Sequence, residues 1–437
     1  MVRKFPFLAA LACATLLAGC GDRSRLPLER SVGPAPELPA PRSGLLPTVQ
    51  IAEATGWPAG AAPIARQGLR ANAFATGLDH PRWLLVLPNG DVLVAESAAP
   101  PKPPGLEDGG LRAAFIRMFM RRAGSAVPSA DRITLLRDAD GDGVAELRTH
   151  FLTGLTSPFG MALVGDTLYV ANANALVAFP YRAGDTRIDA PPRRIAALPA
   201  GRNHHWTKSL AVGPDGRLLY VGVGSNSNVA EHGMAEEEGR AAIWEIDPAT
   251  GHGRIFAGGL RNPIGIAFQP GTGDLYAVVN ERDELGSDLV PDYLTRVQDG
   301  GFYGWPWSYW GDHVDTRVEP PRPDMVARTL RPDYALGNHV APLGLSFAQG
   351  ARLGPAFVSG AFVGLHGSWN RRPLSGYEVV FVPFVGGRPS GAPIVILDGF
   401  VSPDGKAMGR PVGVAIARDG ALLVADDVGN SVWRVSR

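Results

Sequence analysis

The sequence predicts an all-β fold, more closely a six-bladed β-propeller, and two observations support this prediction. Glycine and proline supply 55 and 39 of the 437 residues, well above their usual combined share of about 12%. Both residues weaken helix interiors, because Gly costs backbone entropy and Pro lacks an N–H donor. In addition, one pattern of turn, apolar strand, Gly-containing turn and second apolar strand recurs six times along the chain.

The repeats have unequal lengths, which distinguishes a propeller from a solenoid. They start at Leu78, Leu155, His205, Leu260, Val340 and Gly409. Stacked solenoid repeats need a near-constant period, whereas propeller blades tolerate insertions in their loops. An eight-stranded sandwich pair is the structural alternative, but it does not explain a six-fold repeat. We therefore expect residues 71–437 to form six blades of roughly 60 residues each.

The N-terminal residues are typical of a bacterial lipoprotein signal. A charged start and a short apolar run lead to Leu17-Ala18-Gly19-Cys20, which resembles a lipobox in which the Cys becomes the lipidated first residue. We expect residues 1–19 to be the signal peptide and residues 20–70, rich in Pro and Ala, to be a flexible tether. The alternative is an ordinary signal peptide with an incidental Cys. Gly21 rather than Asp follows Cys20, so a periplasm-facing anchor in the outer membrane of the cell envelope is favoured.

An insertion at residues 98–128 interrupts the first repeat. Residues 111–122 contain helix-forming residues with basic side chains among apolar ones, so they predict a short basic amphipathic helix. On a lipid-tethered protein this helix could lie on the membrane surface. Alternatively, its apolar stripe packs on the domain.

Charge and cysteine content exclude several classes of function. Lys plus Arg and Asp plus Glu number 42 each, and a chain without net positive charge is a poor partner for nucleic acid. The two cysteines, Cys13 and Cys20, belong to the signal or to the lipidation position. No thiol therefore remains for a disulfide, a metal or a nucleophile. The sequence also lacks the common zinc, hydrolase and nucleotide-binding motifs.

Polar residues cluster where the repeats begin or end. These clusters occupy residues 202–208, 259–263, 280–288 and 409–411. Corresponding positions of propeller blades converge on one end of the central channel, so we expect these side chains to lie together. A histidine, several cations and a group of carboxylates at that point would suit an anionic, metal-assisted cofactor.

Six segments in this order resemble the pyrroloquinoline quinone-dependent sugar dehydrogenases of the soluble glucose dehydrogenase and L-sorbosone dehydrogenase type. They are NHHWTKSLAVGPDGRLLYVGVGSNSN (203–228), GLRNPIGIAF (259–268), NERDELGSDLVPDYLTRV (280–297), GGFYGWPWSYWG (300–311), HGSWNR (366–371) and GRPVGVAI (409–416). The resemblance covers roughly residues 70–437. It implies a six-bladed propeller that oxidises an aldose, a sorbosone-like sugar or a polyol by hydride transfer to Ca²⁺-bound pyrroloquinoline quinone. Electrons would then pass to a respiratory acceptor.

The resemblance also implies roles for individual residues. His205 matches the general base, and an imidazole with an ordinary pKa near 6.5 suits proton transfer at neutral pH; the alternative is a structural channel histidine. Arg261 and Asn262 match the pair that contacts the reactive edge of the quinone, and Arg261 would stabilise the developing oxyanion. Further candidates for cofactor binding are Arg410, Lys208 and Asn226. The alternative is that Lys208 is an ordinary charged residue on the surface.

For calcium, the resemblance implies backbone carbonyls near Asp283 and Glu284, with the side chains of Glu281 and Asp288 as candidates. Oxygen ligands on a loop are what Ca²⁺ requires. The loop departs from the glucose enzymes, which have Gly-Pro where Asp283-Glu284 stand.

A second possible calcium site is the turn with Asp138, Asp140 and Asp142, followed by Glu146. The twelfth position is Thr149 rather than Glu, so this turn is not an EF-hand, and a solvated hairpin turn is the alternative.

Two other functions remain open at this point. The protein could be a non-catalytic binding or assembly lipoprotein whose cofactor pocket has decayed, because His204, Asn226 and the Asp283-Glu284 pair differ from the glucose enzymes. It could also be a Ca²⁺-dependent lactonase-type hydrolase, which would need several Asp, Asn or Glu side chains around one metal on the axis. The cations Arg261, Arg410 and Lys208 favour the quinone-dependent enzyme over both.

Overall fold

The computed structural model of the protein describes residues 22–42, 48–106 and 110–437, without the side chains of residues 111–116. Six antiparallel sheets of four to six strands follow one another along the chain and form a six-bladed β-propeller, which confirms the predicted fold. The predicted signal peptide and Cys20 lie outside the described residues.

Strands from the N-terminal region come first in the chain. They are β1 (Val32–Gly33), β2 (Ile64–Ala65) and β3 (Arg70–Ala75). A 3₁₀ helix over Leu28–Ser31 precedes β1. None of these strands starts a blade, because each one pairs with a strand from much later in the chain.

The first three blades are regular four-stranded sheets. Blade 1 consists of β4 (Pro81–Val86), β5 (Val92–Glu96), β6 (Arg132–Arg137) and β7 (Leu147–Leu152), with helix α1 (Gly110–Arg122) between β5 and β6. Blade 2 consists of β8 (Met161–Val164), β9 (Thr167–Ala171), β10 (Ala175–Pro180) and β11 (Arg193–Ala197). Blade 3 consists of β12 (Lys208–Val212), β13 (Leu219–Val223), β14 (Ala242–Ile246) and β15 (Gly253–Gly258), with a 3₁₀ helix over Met234–Glu237.

The last three blades recruit the N-terminal strands. Blade 4 consists of β16 (Pro263–Phe268), β17 (Leu275–Val279), β18 (Pro291–Val297) and β21 (Tyr334–Asn338), and β1 adds to its edge. Its long β18–β21 connection contains β19 (Ser308–Tyr309), β20 (His313–Val314) and α2 (Pro323–Val326). Blade 5 consists of β22 (Pro342–Phe347), β23 (Gly360–Leu365), β24 (Glu378–Val385), β25 (Arg388–Pro389) and β26 (Ile394–Asp398), together with β2 and a 3₁₀ helix over Pro355–Phe357. Blade 6 consists of β27 (Pro411–Ile416), β28 (Leu422–Asp426), β29 (Ser431–Ser436) and β3.

The first strand of each blade lines the centre of the ring. These strands contact one another in the order β4, β8, β12, β16, β22, β27 and back to β4. Glycine permits the close approach between blades: a Cβ on Gly265 would lie 2.8 Å from the backbone N of Leu345, and one on Gly413 would lie 2.7 Å from the carbonyl O of Arg82. The pairing of the N-terminal strand β3 with β29 completes blade 6 and closes the ring.

The second strand of each blade is buried along its whole length, except for half-buried Thr167 at the start of β9. When neighbouring blades cover both faces of a strand, its sequence is a continuous apolar run rather than an alternation of apolar and polar residues. This burial explains the short uninterrupted apolar segments of the repeats, such as residues 92–95 and Leu275–Val279.

The described part of residues 20–70, which we expected to be a flexible tether, lies against the propeller. β1 and β2 extend blades 4 and 5, and Ser31 and Ala52 are fully buried. The Asp288 carboxylate accepts hydrogen bonds from Ser24 Oγ at 2.5 Å and from the Arg25 backbone N at 2.8 Å. The physical reason is that the outer strands of blades 4 and 5 leave backbone donors and acceptors that a passing chain can pair with.

Helix α1 occupies the insertion in which the sequence predicts a basic helix. Its C-terminal end contacts the N-terminal segment, since the carbonyl O of Arg122 accepts a hydrogen bond of 2.8 Å from the Ala54 backbone N. Met118 and Met120 are exposed on this helix. Among the described residues, no helix combines the length and the apolar character needed to cross a bilayer.

Candidate functional site

His205 lies on the loop that enters β12, at the inner strand of blade 3. Its Nδ1 is 2.9 Å from the carbonyl O of Ser225. A carbonyl oxygen only accepts hydrogen bonds, so this contact assigns the imidazole proton to Nδ1. Nε2 then carries the lone pair and can accept a proton.

The surroundings keep His205 neutral. Desolvation lowers its pKa well below the usual 6.5, and the positive charge of Arg261 and the neighbouring His204 lower it further. A neutral imidazole with a defined tautomer is the form that a general base requires. His204 retains exposed surface, and desolvation followed by Arg261 lowers its pKa to about 4.

Gly224 allows Asn262 to approach His205. A Cβ on Gly224 would lie 2.5 Å from the Cβ of His205 and would also overlap Asn262 Oδ1. Asn262 Oδ1 is buried and has no hydrogen-bond partner in the described part of the chain. A buried polar atom of this kind normally has a partner, so Asn262 offers an acceptor to a ligand beside His205.

Arg261 is held in one orientation by hydrogen bonds on several sides. Its Nη1 donates to the carbonyl O of Glu281 at 2.7 Å. Its Nη2 donates to the Asp283 carboxylate at 2.8 Å and to Asn228 Oδ1 at 3.0 Å. Only 3% of the Arg261 side chain is exposed, so its position is set before any ligand binds.

Asp283 connects the loop after β17 to other blades. In addition to Arg261, its carboxylate accepts a hydrogen bond of 2.7 Å from Asn370 Nδ2. Its backbone carbonyl O, a predicted calcium ligand, accepts hydrogen bonds from Arg282 Nη2 at 2.8 Å and from Asn228 Nδ2 at 3.3 Å. Nitrogen donors therefore surround the carbonyl that the resemblance assigns to Ca²⁺.

The other predicted calcium ligands point in different directions. Asp288 binds the N-terminal segment, and Glu284 Oε2 lies 3.6 Å from Arg317 Nη1. Glu281 is buried, and desolvation raises the pKa of its carboxyl to about 8. The structure does not bring these side chains together with Asp283 as one ligand set. Asp288 and Glu284 contact other parts of the protein, whereas Glu281 Oε1 is buried without a hydrogen-bond partner in the described part of the chain.

The second predicted calcium site does assemble. Carboxylate oxygens of Asp138, Asp140, Asp142 and Glu146 all lie within 4.8 Å of one another. This is the only such group of three or more Asp, Glu, His or Cys side chains found within residues 22–42, 48–106 and 110–437. Both oxygens of Asp138 also accept backbone hydrogen bonds, from Gly141 at 2.7 Å and Gly143 at 2.9 Å. These hydrogen bonds hold the turn together without an ion, so calcium binding at this turn stays a prediction.

Arg410 is the clearest candidate to bind an anion. It is 4% exposed and forms no ion pair with any residue that the structure describes. Its guanidinium carbon lies 4.9 Å from the centre of the Tyr377 ring, and its Nη2 donates to the carbonyl O of Ala52 at 3.4 Å. A buried cation without a carboxylate partner is costly unless a ligand supplies the negative charge.

Lys208 and Asn226, the two other predicted cofactor ligands, are both buried. Lys208 has no exposed surface, and its Nζ donates to the carbonyl O of Trp206 at 3.1 Å. Burial lowers its pKa well below the usual value. Asn226 uses its side-chain amide internally, accepting from the His204 backbone N at 3.3 Å and donating to the carbonyl O of Glu236 at 3.1 Å. These contacts hold both residues against the loop that carries His205, and cofactor binding by either residue stays a prediction.

Sequence reasoning missed a buried charged cluster from blades 1, 5 and 6. Asp427 lies 2.9 Å from His366 Nε2 and 3.6 Å from His80 Nε2, and it forms an ion pair with Arg82. Burial alone would raise the pKa of Asp427, but these three cationic or polar neighbours hold it well below its usual range. The Arg82 guanidinium also lies 5.8 Å from the centre of the Trp206 ring. The available clue was that Asp427 and His366 directly follow the second strands of their blades.

The sequence of this chain matches a known protein family. A family model described as TrAA12-like matches residues 132–293 and 324–437, which is more than half of the chain. The chain belongs to this family. Membership confirms the resemblance drawn from the sequence motifs.

Two curated relatives show how far their sequences have diverged from this chain. An uncharacterized protein of Borreliella burgdorferi is 29% identical over 244 residues, covering 55% of this chain and 63% of the relative. A pyrroloquinoline quinone-dependent pyranose dehydrogenase of Coprinopsis cinerea is 26% identical over 251 residues, covering 47% of this chain and 34% of the relative. The match thus spans less than two thirds of either relative.

Solved structures agree with the propeller fold of this family member. The Trichoderma reesei Carbohydrate-Active Enzymes Family AA12 structure superposes with a TM-score of 0.69 and 20% identity, covering 89% of this chain and 99% of the other. The holo form of the pyranose dehydrogenase quinone domain of Coprinopsis cinerea superposes with a TM-score of 0.68 and 21% identity, covering 89% and 100%. At these identities the superpositions establish the fold.

Proposed function

We propose that the protein is a quinoprotein oxidoreductase that oxidises a CH–OH group of an aldose, a sorbosone-like sugar or a polyol. The observation that carries this proposal is the hydrogen bond from His205 Nδ1 to the carbonyl O of Ser225. It leaves Nε2 of a neutral imidazole free beside the fixed Arg261 and the unpartnered Asn262 Oδ1. The relatives with known cofactors are pyrroloquinoline quinone-dependent dehydrogenases, which supports the same chemistry here.

The residues of the site fit pyrroloquinoline quinone, which is an anion with several carboxylates and a reactive quinone edge. Arg410 is buried and its guanidinium has no carboxylate partner among the described residues, so it would bind a cofactor carboxylate. Arg261 with Asn262 would contact the quinone edge. When bound, the cofactor supplies an electrophilic carbonyl carbon that accepts the hydride of the oxidised C–H bond. Calcium does not fit at the Asp283 carbonyl, because nitrogen donors already occupy that oxygen.

The protein residues then have separate tasks. His205 Nε2 accepts the proton of the substrate hydroxyl, so the carbinol carbon becomes a carbonyl as it loses its hydride. Arg261 is fixed by Asp283 and the carbonyl O of Glu281, which means that its charge needs no reorganisation as negative charge develops on oxygen. Ser225 keeps the imidazole in the tautomer that can accept a proton.

The test uses the full-length protein in detergent, freed of cofactor and then supplied with pyrroloquinoline quinone. Reduction of an artificial dye is followed over a panel of aldoses, sorbosone and polyols. We expect quinone-dependent turnover that falls by roughly 100- to 10,000-fold in His205→Gln, the usual contribution of a general base. His252→Gln, which changes an exposed histidine, is the matched control and should keep full activity.

The outcomes separate the remaining functions. Absence of quinone binding at micromolar concentration would favour a non-catalytic binding lipoprotein. Quinone-independent hydrolysis of lactones would instead indicate the lactonase-type enzyme. Quinone binding without dye reduction in the wild type would mean that the sugar panel lacks the substrate, and quinone binding by itself would still support the cofactor assignment.

We further propose that the protein is anchored through lipid on Cys20, faces the periplasm and delivers electrons to a respiratory acceptor. The lipobox-like Leu17–Cys20 sequence supports the anchor. Asp22 is held close to the site loop, because its carboxylate accepts a hydrogen bond of 2.8 Å from the Ser287 backbone N. Cys20→Ser should abolish incorporation of labelled fatty acid and release the protein from the membrane fraction. Unchanged membrane retention of that variant would contradict the proposed anchor.

A further inference from the structure

The carbonyl oxygen of Asp283 is enclosed by nitrogen donors. Arg282 Nη2 lies at 2.8 Å, Asn228 Nδ2 at 3.3 Å and Arg317 Nη2 at 3.5 Å. A carbonyl oxygen has two lone pairs, and the two nearest donors already use them. A cation that approached this oxygen would have to displace at least one of these groups.

Carboxylates hold both guanidinium groups in place, and Asp315 contacts each of the two arginines. Asp315 is 2% exposed and forms an ion pair with Arg282, which is 1% exposed. Asp315 Oδ1 also accepts a hydrogen bond of 3.1 Å from the Arg317 backbone N, and it lies 3.7 Å from Arg317 Nε. The connection between β18 and β21 therefore carries a fixed acidic group whose contacts are two arginines, and the arginines reach the site loop.

Arg317 is the member of this group that a ligand can reach. Its side chain is 32% exposed, whereas Arg282 is buried. Arg317 Nη2 lies 3.5 Å from the carbonyl O of Asp283, which places Arg317 against the site loop. On the other side of Asp283, Arg261 binds the carboxylate.

Ion pairs also fix the donors around this oxygen. Arg261, Arg282 and Arg317 all lie within hydrogen-bond distance of Asp283. Their carboxylate partners are Asp283 for Arg261, Asp315 for Arg282 and Glu284 for Arg317. Ion pairs in a partly buried site are stronger than in water, because the effective dielectric is lower, so a cation at this carbonyl would have to displace a donor that an ion pair holds in place.

We propose that the loop of residues 280–288 binds no Ca²⁺ and that Arg317, supported by Arg282 and Asp315, supplies the positive charge that the resemblance assigns to calcium. Arg317 then interacts directly with the anionic cofactor. The second statement rests on the proposed function, whereas the first concerns the loop alone.

The experiment measures pyrroloquinoline quinone affinity by quenching of tryptophan fluorescence, in excess chelator and in millimolar calcium. For the wild type we expect the two dissociation constants to agree within about twofold, far below the tenfold that corresponds to about 1.4 kcal/mol. Arg317→Gln should weaken binding roughly 10- to 100-fold in both conditions, as expected for a lost charge-assisted hydrogen bond. Arg322→Gln removes an exposed arginine of the same connection, paired with Asp324, and should leave the affinity unchanged.

Several results would overturn the proposal. Chelator-sensitive binding by the wild type, with calcium tightening it about tenfold or more, would show that the loop uses the metal. If Arg317→Gln binds pyrroloquinoline quinone with wild-type affinity, Arg317 does not supply positive charge to the cofactor. Arg317→Lys, which keeps the charge on an exposed position, should bind more tightly than Arg317→Gln, and equal affinities would contradict a charge effect.

If no quinone binds in either condition, the proposed function fails. A direct calcium titration then still shows whether the loop of residues 280–288 binds Ca²⁺. The variant with Asp138, Asp140 and Asp142 all changed to Asn removes the exposed acidic turn. Isothermal titration of this variant with CaCl₂ should show no site of millimolar affinity or tighter. A remaining stoichiometric site would overturn the proposal independently of the cofactor.

Discussion

Gly224→Ala is the sharpest test of the site geometry. Gly224 lies between His205 and Asn262, and its added methyl group would sit 2.5 Å from the Cβ of His205, about 1 Å less than the optimal carbon–carbon separation of about 3.5 Å. Gly224 does not have the left-handed backbone conformation, so the effect of the substitution is steric rather than conformational.

The expected losses of stability and of reaction rate follow from that overlap. Overpacking of this kind costs about 1–3 kcal/mol of stability, which a domain of this size should tolerate. A displacement of about 1 Å at the reacting groups can cost roughly 100-fold in rate. We therefore expect Gly224→Ala to fold, to melt at a somewhat lower temperature and to lose about two orders of magnitude in kcat/KM for dye reduction.

The matched control is Gly258→Ala. A Cβ at Gly258 meets nothing within 4 Å, and its backbone is not left-handed, so activity and stability should stay close to the wild type. Adding Asn262→Ala to Gly224→Ala should recover part of the stability and leave activity low, because the overlap with the Asn262 amide is removed while the contact with the His205 Cβ remains. If Gly224→Ala retains wild-type kcat/KM, then His205 and Asn262 do not act together and the assignment of the site is wrong.

Three further predictions concern pH, the buried charged cluster and the N-terminal segment. Because the pKa of His205 is lowered below 6.5, kcat/KM should be flat through neutral pH and should fall only on acidification below that value; an acidic limb centred above it would contradict a neutral, desolvated base. Asp427→Asn leaves Arg82 buried without its carboxylate and should cost about 3–5 kcal/mol in chemical denaturation. Asp324→Asn, which breaks the exposed pair with Arg322, should cost at most about 1 kcal/mol, and equal costs would refute the distinction. Asp288→Asn weakens the hydrogen bonds to Ser24 and Arg25, so limited proteolysis near residue 25 should accelerate while the propeller core stays protected; unchanged cleavage would show that Asp288 does not hold the segment.

The number of blades was predictable because it depends on local information. Turn residues, short apolar strands and their six-fold recurrence lie within about 60 residues of one another, and each repeat specifies its own hairpins. The sequence also indicated where to look for His205, Arg261 and Asn262, since they directly adjoin the ends of strands and belong to segments that resemble a known family. The structure places His205 and Asn262 beside one another, with His205 Nδ1 at hydrogen-bond distance from the Ser225 carbonyl O.

Other parts of the site depend on the whole ring. Arg82 and Asp427, from the first and last blades, lie 345 residues apart in sequence, and no local pattern indicates that they meet. The N-terminal segment looked like a tether because its composition is rich in Pro and Ala, but the edges of blades 4 and 5 provide backbone partners for it. Composition indicates how a segment would behave in isolation. Whether that segment pairs with a strand depends on sheet edges that other parts of the chain form.

The sequence by itself determined the all-β class, the repeat number and the loops that carry the candidate catalytic residues. Only the tertiary structure decided that Lys208 is buried beneath Trp206 and that arginines from a distant connection enclose the Asp283 carbonyl. The physical reason is that residue type and spacing specify strands and turns. Which donor reaches which oxygen depends instead on blades that come together only when β3 pairs with β29 and the ring closes.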